Sequence, residues 1–170
     1  MKTRQKDRDA PEPQAPWDEV RPGLWMGGHV WVSPQGQTQA AVVDVEFDLV
    51  VSLYSREGHG PHPSVEHLVN EIPDSPLTAV QLYAVQQLAT TVAGAVRGNR
   101  TVLVRCHSGY NRSGLVVAQA LIELGEDAAA AIDLIRRNRS PWALNNRTFE
   151  QYLTTGLDVA CLLAGLETSA

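Results

Sequence analysis

Residues 101–114 read Thr-Val-Leu-Val-Arg-Cys-His-Ser-Gly-Tyr-Asn-Arg-Ser-Gly. The apolar run 102–104 predicts a short buried strand, and a segment with the apolar spacing of a helix begins at Leu115. Cys106 follows the strand, and a five-residue loop separates it from Arg112. The pattern therefore predicts a strand, a tight loop and a helix, with a cysteine and an arginine at the two ends of the loop.

A loop of this kind is suited to a phosphate dianion. The N-terminus of a helix leaves about four backbone N–H groups without partners, and its dipole favours an anion. Arg112 adds a planar fork that can bind two phosphate oxygens, and Gly109 allows the backbone to turn tightly. The same positive field favours the thiolate of Cys106. The sulfur can then attack phosphorus and form a phosphocysteine, which water hydrolyses.

The pattern Cys106-x5-Arg112-Ser113 resembles the signature loop of the cysteine-dependent protein tyrosine phosphatases, in particular the dual-specificity branch. The resemblance covers roughly residues 20–155 and implies a phosphate-binding loop made of His107, Ser108, Gly109, Tyr110, Asn111 and Arg112. It also implies a single α/β domain with a mixed, roughly five-stranded sheet and helices on both faces. No metal or other cofactor is expected, because the arginine and the loop amides supply the positive charge. The family usually has a histidine just before the cysteine, where this chain has Arg105.

Three further residues take roles from this resemblance, and each has a simpler alternative. Asp74 lies in a loop where the family places a general acid, although it could instead cap the next helix or shape the turn. Ser113 could donate a hydrogen bond to the Cys106 thiolate as it leaves phosphocysteine, or it could cap its helix. The stretch that ends at Asn145 is similar to one that supports the signature loop from behind. The charge-rich residues 136–139 are, on their own, typical of a solvated helix end.

The histidines favour no metal site. His59, His62 and His67 could be imagined as a cluster, but they lack cysteine or carboxylate partners at ligand spacing. We therefore expect them to be solvated loop residues, and the same interpretation applies to His29 and His107.

Hydrophobic periodicity and turn residues predict the remaining elements. One apolar run predicts a buried strand, a second segment predicts another strand, and three longer segments have helical spacing. The predicted strands cover residues 47–53 and 65–72, and the predicted helices cover 78–98, 127–138 and 149–166.

Composition limits the class of protein. The 170 residues, 44% of them hydrophobic, fit one domain, and the charged, proline-rich residues 1–16 predict a disordered arm before a catalytic domain at 17–170. Two cysteines make no disulfide framework, and the absence of a signal or membrane segment favours the cytoplasm. The net charge of −5 argues against nucleic-acid or membrane partners. Lysine occurs only at positions 2 and 6, and this bias towards arginine, together with many alanines, favours a bacterial source.

The sequence thus predicts an enzyme that hydrolyses phosphomonoesters, with a phosphorylated protein as substrate and phosphotyrosine as the main target; phosphoserine and phosphothreonine are further candidates. Two alternatives on the same fold are an RNA 5′-triphosphatase, whose loop is similar to Gly109–Ser113, and a phosphoinositide phosphatase, which usually has lysines in the loop. A phosphoprotein-binding module without turnover is the alternative from another class, but such modules typically lack the cysteine or the arginine. The oligomeric state is not predicted.

Overall fold

Seven strands and five helices make up the part of the chain that a computed structural model describes, residues 10–169. The strands are β1 (Trp17–Arg21), β2 (Leu24–Gly27), β3 (Val30–Val32), β4 (Thr38–Ala40), β5 (Leu49–Ser52), β6 (Glu66–Val69) and β7 (Val102–Arg105). The helices are α1 (Ala79–Arg97), α2 (Arg112–Glu123), α3 (Ala128–Asn138), α4 (Arg147–Thr155) and α5 (Leu157–Ser169). No helix among these residues is both long and apolar enough to cross a membrane.

The strand that leads to the cysteine lies at the centre of the main sheet. The strand order is β1-β2-β7-β5-β6, with β1 antiparallel to β2 and the other neighbours parallel. Every residue of β5 and β7 is buried, as expected for central parallel strands covered on both faces. The predicted α/β fold with a mixed five-stranded sheet is confirmed; β3 and β4 form a separate hairpin.

The strand register brings three chain segments to one edge of the sheet. Arg105, at the end of β7, pairs with Gly27 at the end of β2 and with Ser52 at the end of β5. The chain leaves all three strands at this edge, so Cys106 is flanked by the segments that begin at Gly28 and Leu53. Carboxyl ends of parallel strands are the usual place for a site in such sheets.

The helices pack on one face of the sheet, so the expectation of helices on both faces is wrong. Alternate strand residues such as Val51 and Val104 share a large core with residues from all five helices. On the opposite face, Val50 and Leu103 pack with Val43 and Phe47 from the loop before β5. Tryptophans 17 and 25 cover the same cluster, with their rings edge-on to Phe47. Loop and edge-strand residues therefore bury the second face.

Helix boundaries follow capping chemistry. Thr78 caps α1 and exchanges two hydrogen bonds with Gln81 in a capping box. The helix after the signature loop begins at Arg112, earlier than the apolar pattern suggests, and this places Arg112 in the first turn. The segment 149–166, which was predicted as one helix, belongs to two helices, α4 and α5. Gly156, with φ of 103°, breaks it between α4 and α5.

Part of the predicted arm is packed onto the domain. Residues 1–9 lie outside the described residues, so the arm prediction is not tested there. Residues 10–16 differ from the prediction, because their carbonyl groups accept specific hydrogen bonds. Val32 donates to Pro13, Gly28 donates to Pro16, and the Tyr110 hydroxyl donates to Pro11 at 2.6 Å. The contacts of the domain thus extend to residues before Trp17.

Candidate active site

Cys106 lies at the end of β7 and is 2% exposed. The next residues turn away from the sheet and enter α2 at Arg112. Gly28 permits a close approach of the neighbouring segment, because a Cβ there would lie 2.6 Å from the His107 carbonyl oxygen. Gly109 has φ of +77°, and a Cβ there would lie 2.5 Å from the Gly27 carbonyl group. Both positions therefore require glycine for the loop to fold over the end of β2.

The carbonyl groups of the loop all point away from its centre. Each of the five carbonyl oxygens of residues 107–111 accepts a hydrogen bond from outside the loop. The donors, in loop order, are the backbone N–H of His29 (2.8 Å), Arg139 Nη2 (3.0 Å), Arg139 Nε (3.2 Å), the backbone N–H of Leu144 (3.0 Å) and the backbone N–H of Leu115 (2.8 Å). Fixing every carbonyl outward orients the peptide N–H groups inward.

The next feature is the set of backbone N–H groups on the inner side of the loop. Within residues 10–169, the backbone N–H groups of residues 108–112 donate to no other residue. Consecutive N–H groups that converge in this way form an anion-binding concavity. The arrangement can therefore bind a tetrahedral oxyanion next to the Cys106 sulfur.

The guanidinium of Arg112 is held beside this concavity. Its Nη1 donates to the Ile72 carbonyl oxygen at 3.4 Å, and its Cζ lies 5.4 Å from the centroid of the Tyr54 ring. The Nε atom is buried and has no hydrogen-bond partner among the described residues. A buried guanidinium donor without a partner is unfavourable unless an acceptor binds there, as a phosphate oxygen would.

Ser113 lies against the sulfur. Its hydroxyl oxygen is 3.3 Å from Cys106 Sγ, and the side chain is fully buried. Asn111 rather than Ser113 is the N-cap residue of α2. The geometry allows the hydroxyl to donate to a thiolate.

Asp74 is 7% exposed and lies next to the loop. Its Oδ2 accepts a hydrogen bond from Asn111 Nδ2 at 3.1 Å, and its Oδ1 accepts one from Asn146 Nδ2 at 2.7 Å. Thr78 caps α1, so the alternative of a helix cap does not apply to Asp74. The carboxyl group is instead hydrogen-bonded to Asn111 in the loop that follows β7.

Asn145 contacts the loop, and so do two residues that the sequence did not single out, Asn146 and Arg139. Asn145 accepts one hydrogen bond from Asn111 and donates to the Trp142 carbonyl. Its neighbour Asn146 is the buried residue, which caps α4 and contacts both Asp74 and Asn111. Arg139 was missed, because a run of arginines resembles a solvated helix end. Its side chain is 1% exposed and supports two loop carbonyls.

Arg105, which directly precedes Cys106, is 1% exposed. It donates to the Ser52 hydroxyl and to the carbonyl groups of His59 and Gly60, at 2.9, 2.9 and 2.6 Å. No carboxylate among the described residues pairs with it, and burial lowers the pKa of Arg105 to about 10. Arg105 therefore fixes the loop that follows β5 against the strand that carries the cysteine.

Two histidines that were expected to be solvated are buried instead. His29 Nδ1 lies 3.2 Å from His59 Nδ1, and His29 Nε2 lies 2.8 Å from the Tyr54 carbonyl oxygen. The carbonyl can only accept, so Nε2 carries the proton, and in neutral His29 Nδ1 must accept from His59. His62 is exposed and His67 contacts Ser52. No group of three metal-ligating side chains occurs in residues 10–169.

Acidification is expected to destabilise the domain through His29. The side chain is fully buried, and burial, with the nearby Arg105 charge, lowers the pKa of His29 from 6.5 to about 4. The unfolded chain therefore binds a proton between these values while the folded chain does not, so stability falls as the pH drops from 6.5 towards 4. The loss is on the order of 3 kcal/mol.

Urea unfolding at several pH values between 7 and 4.5 measures this loss. His29→Asn should flatten the dependence relative to wild type. Part of the slope should remain, because burial also lowers the pKa of His59 and His67. An unchanged slope in His29→Asn would contradict the assignment.

Comparisons with known proteins establish the fold. No protein-family model and no curated protein sequence matches the chain. Among solved structures, human DUSP28 is similar at 22% identity, with a TM-score of 0.65 over 87% of this chain and 99% of that one. A putative mouse dual-specificity phosphatase, crystallised with zinc tungstate, is similar at 24% identity, with a TM-score of 0.59 over 93% and 97%. Human tyrosine phosphatase-like serine/threonine/tyrosine-interacting protein is similar at 18% identity, with a TM-score of 0.59 over 82% and 93%.

Proposed function

We propose that this chain, which has the fold of the dual-specificity phosphatases, hydrolyses phosphomonoesters through a phosphocysteine, with protein phosphotyrosine as its main substrate. One observation carries the proposal: the N–H groups of residues 108–112 have no acceptor within residues 10–169 and can bind an oxyanion beside Cys106, because the carbonyls of residues 107–111 are bonded outward. The fold alone would not distinguish an enzyme from a binding protein.

The first step transfers the phosphoryl group to sulfur. The loop N–H groups and Arg112 bind the phosphate oxygens and stabilise the charge that develops on them. The Cys106 thiolate attacks phosphorus in line, an S–P bond forms and the P–O bond to tyrosine breaks. The leaving oxygen takes a proton from Asp74, the acidic side chain adjacent to the loop.

The second step returns the enzyme to its starting state. Water attacks the phosphocysteine, the Asp74 carboxylate takes the proton, and the S–P bond breaks with its electron pair on sulfur. The Ser113 hydroxyl, 3.3 Å from Sγ, donates to the thiolate that forms. A thiolate nucleophile requires a reducing compartment, which is why we place the enzyme in the cytoplasm.

A substrate panel tests the proposal. The full chain, with a chelator present, is expected to release phosphate fastest from a phosphotyrosyl peptide and more slowly from a phosphoseryl peptide. A 5′-triphosphorylated oligoribonucleotide and phosphoinositide vesicles test the alternatives on the same fold. Faster release from either would replace the proposed substrate. Binding of the phosphopeptides without any release would identify a phosphoprotein-binding module and overturn the enzymatic proposal.

A further inference from the structure

We propose that Asn111 and Asn146 are positioning residues, which hold the carboxyl group of Asp74 in place for proton transfer to the leaving group. The inference deepens the proposed function and rests on it. The three side chains come from separate parts of the chain: the segment after β6, the phosphate loop and the N-cap of α4. All three are buried.

The backbone fixes the orientation of both asparagine amides. Asn111 Oδ1 accepts from the backbone N–H of Asn146 at 2.9 Å, and Asn146 Oδ1 accepts from the backbone N–H of Phe149 at 3.2 Å. A backbone N–H can only donate, so the oxygen of each amide must face it and the NH₂ group must face away. Both NH₂ groups then donate to Asp74, one to each carboxyl oxygen. Each carboxyl oxygen of Asp74 therefore accepts a hydrogen bond from an asparagine amide whose orientation is fixed by the backbone.

A second contact joins the same two segments. Arg112 Nη1 donates to the carbonyl oxygen of Ile72, two residues before Asp74. The segment that carries Asp74 is thus attached to the phosphate-binding loop through both Asn111 and Arg112, the last two residues of that loop.

Pre-positioning matters most when the leaving group is a poor one. The phenol of tyrosine has a pKa of about 10, so its oxygen needs a proton as the P–O bond breaks. 4-Nitrophenol is much more acidic and leaves as an anion without help. General acid catalysis contributes about 10²–10⁴-fold where it is needed. Loss of the positioning contacts should therefore be visible only with the poor leaving group.

The test compares a phosphotyrosyl peptide with 4-nitrophenyl phosphate. Asn111→Ser and Asn146→Ser both remove the NH₂ donor, and serine at 146 keeps a capping oxygen for α4. Hydrolysis of the phosphocysteine is common to both substrates, so the comparison uses kcat/KM, which reports the transfer of the phosphoryl group to Cys106. We expect kcat/KM to fall on the order of 10²-fold on the phosphotyrosyl peptide and less than about tenfold on 4-nitrophenyl phosphate. Asp74→Asn should show the same split, at least as large. Asn138→Ser is the matched control, because that asparagine donates two hydrogen bonds to the backbone away from the loop.

Several outcomes would overturn the inference. Equal losses on the two substrates in both serine variants would show that the asparagines act on the loop rather than on the acid. No loss in either variant, or no leaving-group split in Asp74→Asn, would also overturn it. In each of these cases the proposed function would still hold if turnover depends on Cys106. If the wild-type chain turns over neither substrate, both proposals fail together. If Asn146→Ser does not fold, Asn111→Ser decides the question.

Discussion

Cys106→Ser should abolish turnover while the chain still binds its phosphorylated peptide. A serine hydroxyl is not ionised at neutral pH, so residue 106 no longer supplies an anionic nucleophile. Loss of a catalytic nucleophile lowers kcat on the order of 10⁴–10⁶-fold. The N–H groups of residues 108–112 and the Arg112 guanidinium are unchanged, so the affinity for a phosphotyrosyl peptide should stay within about tenfold, or 1.4 kcal/mol. Stopped assays for kcat and titration calorimetry for affinity measure the two quantities.

Cys161→Ser is the matched control for this experiment. It makes the same change of one atom at the other free cysteine, which lies in α5 and contacts the Ala79 carbonyl group. Turnover should remain close to that of wild type. Acid quenching should also trap labelled phosphoenzyme in wild type and in Cys161→Ser but not in Cys106→Ser. Residual turnover of Cys106→Ser near the wild-type rate would show that another group attacks phosphorus.

Local patterns explain why much of this fold is predictable from the sequence. The strand that precedes Cys106 contains the apolar run 102–104, and β5 contains the apolar run 49–51. Both strands are buried on two faces. Glycine, the cysteine and the arginine stand within one short loop, so their joint placement needs no information about distant residues. Asp74 follows a strand end, which is sufficient to bring it to the same edge of the sheet as Cys106.

The features that were missed depend on residues that are distant in the chain. Arg139 is buried because it meets Asp18 and the carbonyl groups of Ser108 and Gly109, and no periodicity within the arginine run indicates this. The choice between Asn145 and Asn146 depends on which of two identical neighbours caps α4. The burial of His29 depends on its contact with His59, in the loop after β5.

The face on which the helices pack is a similar case. Both faces of β5 and β7 are apolar, since Val51 and Val104 point to one side and Val50 and Leu103 point to the other. Such a pattern predicts that both faces are covered, but not whether helices or loops cover them. The residues that bury the second face include Phe47 and Trp25. The local sequence assigns these residues to strands or turns, so it does not indicate that they cover this face.

Arg139→Lys is expected to impair both the loop and the stability of the domain. The guanidinium donates to the Ser108 and Gly109 carbonyls while its Nη1 contacts the Ala15 carbonyl and Asp18. A lysine keeps the charge but cannot reach these four acceptors from one planar group. Hydrogen bonds from a charged group contribute about 1.5–3 kcal/mol each, so the free energy of unfolding should fall by several kcal/mol. Two freed carbonyl groups also allow the loop N–H groups to shift, and a misplacement of about 1 Å can lower activity 10²-fold.

Orthovanadate separates the effect on the loop from the effect on stability. An oxyanion that binds the folded state raises the unfolding temperature, and the rise is larger when binding is tighter, so vanadate should stabilise wild type and have little effect on Arg139→Lys. Asp18→Asn is the matched control, because the side chain is partly exposed, the amide oxygen can still accept from Arg139, and the bonds to the loop carbonyls remain. That variant should lose about 1 kcal/mol and keep its response to vanadate. If Arg139→Lys is destabilised but binds vanadate as wild type does, the outward carbonyls are held by the remaining donors at His29, Leu115 and Leu144, and Arg139 does not shape the anion site.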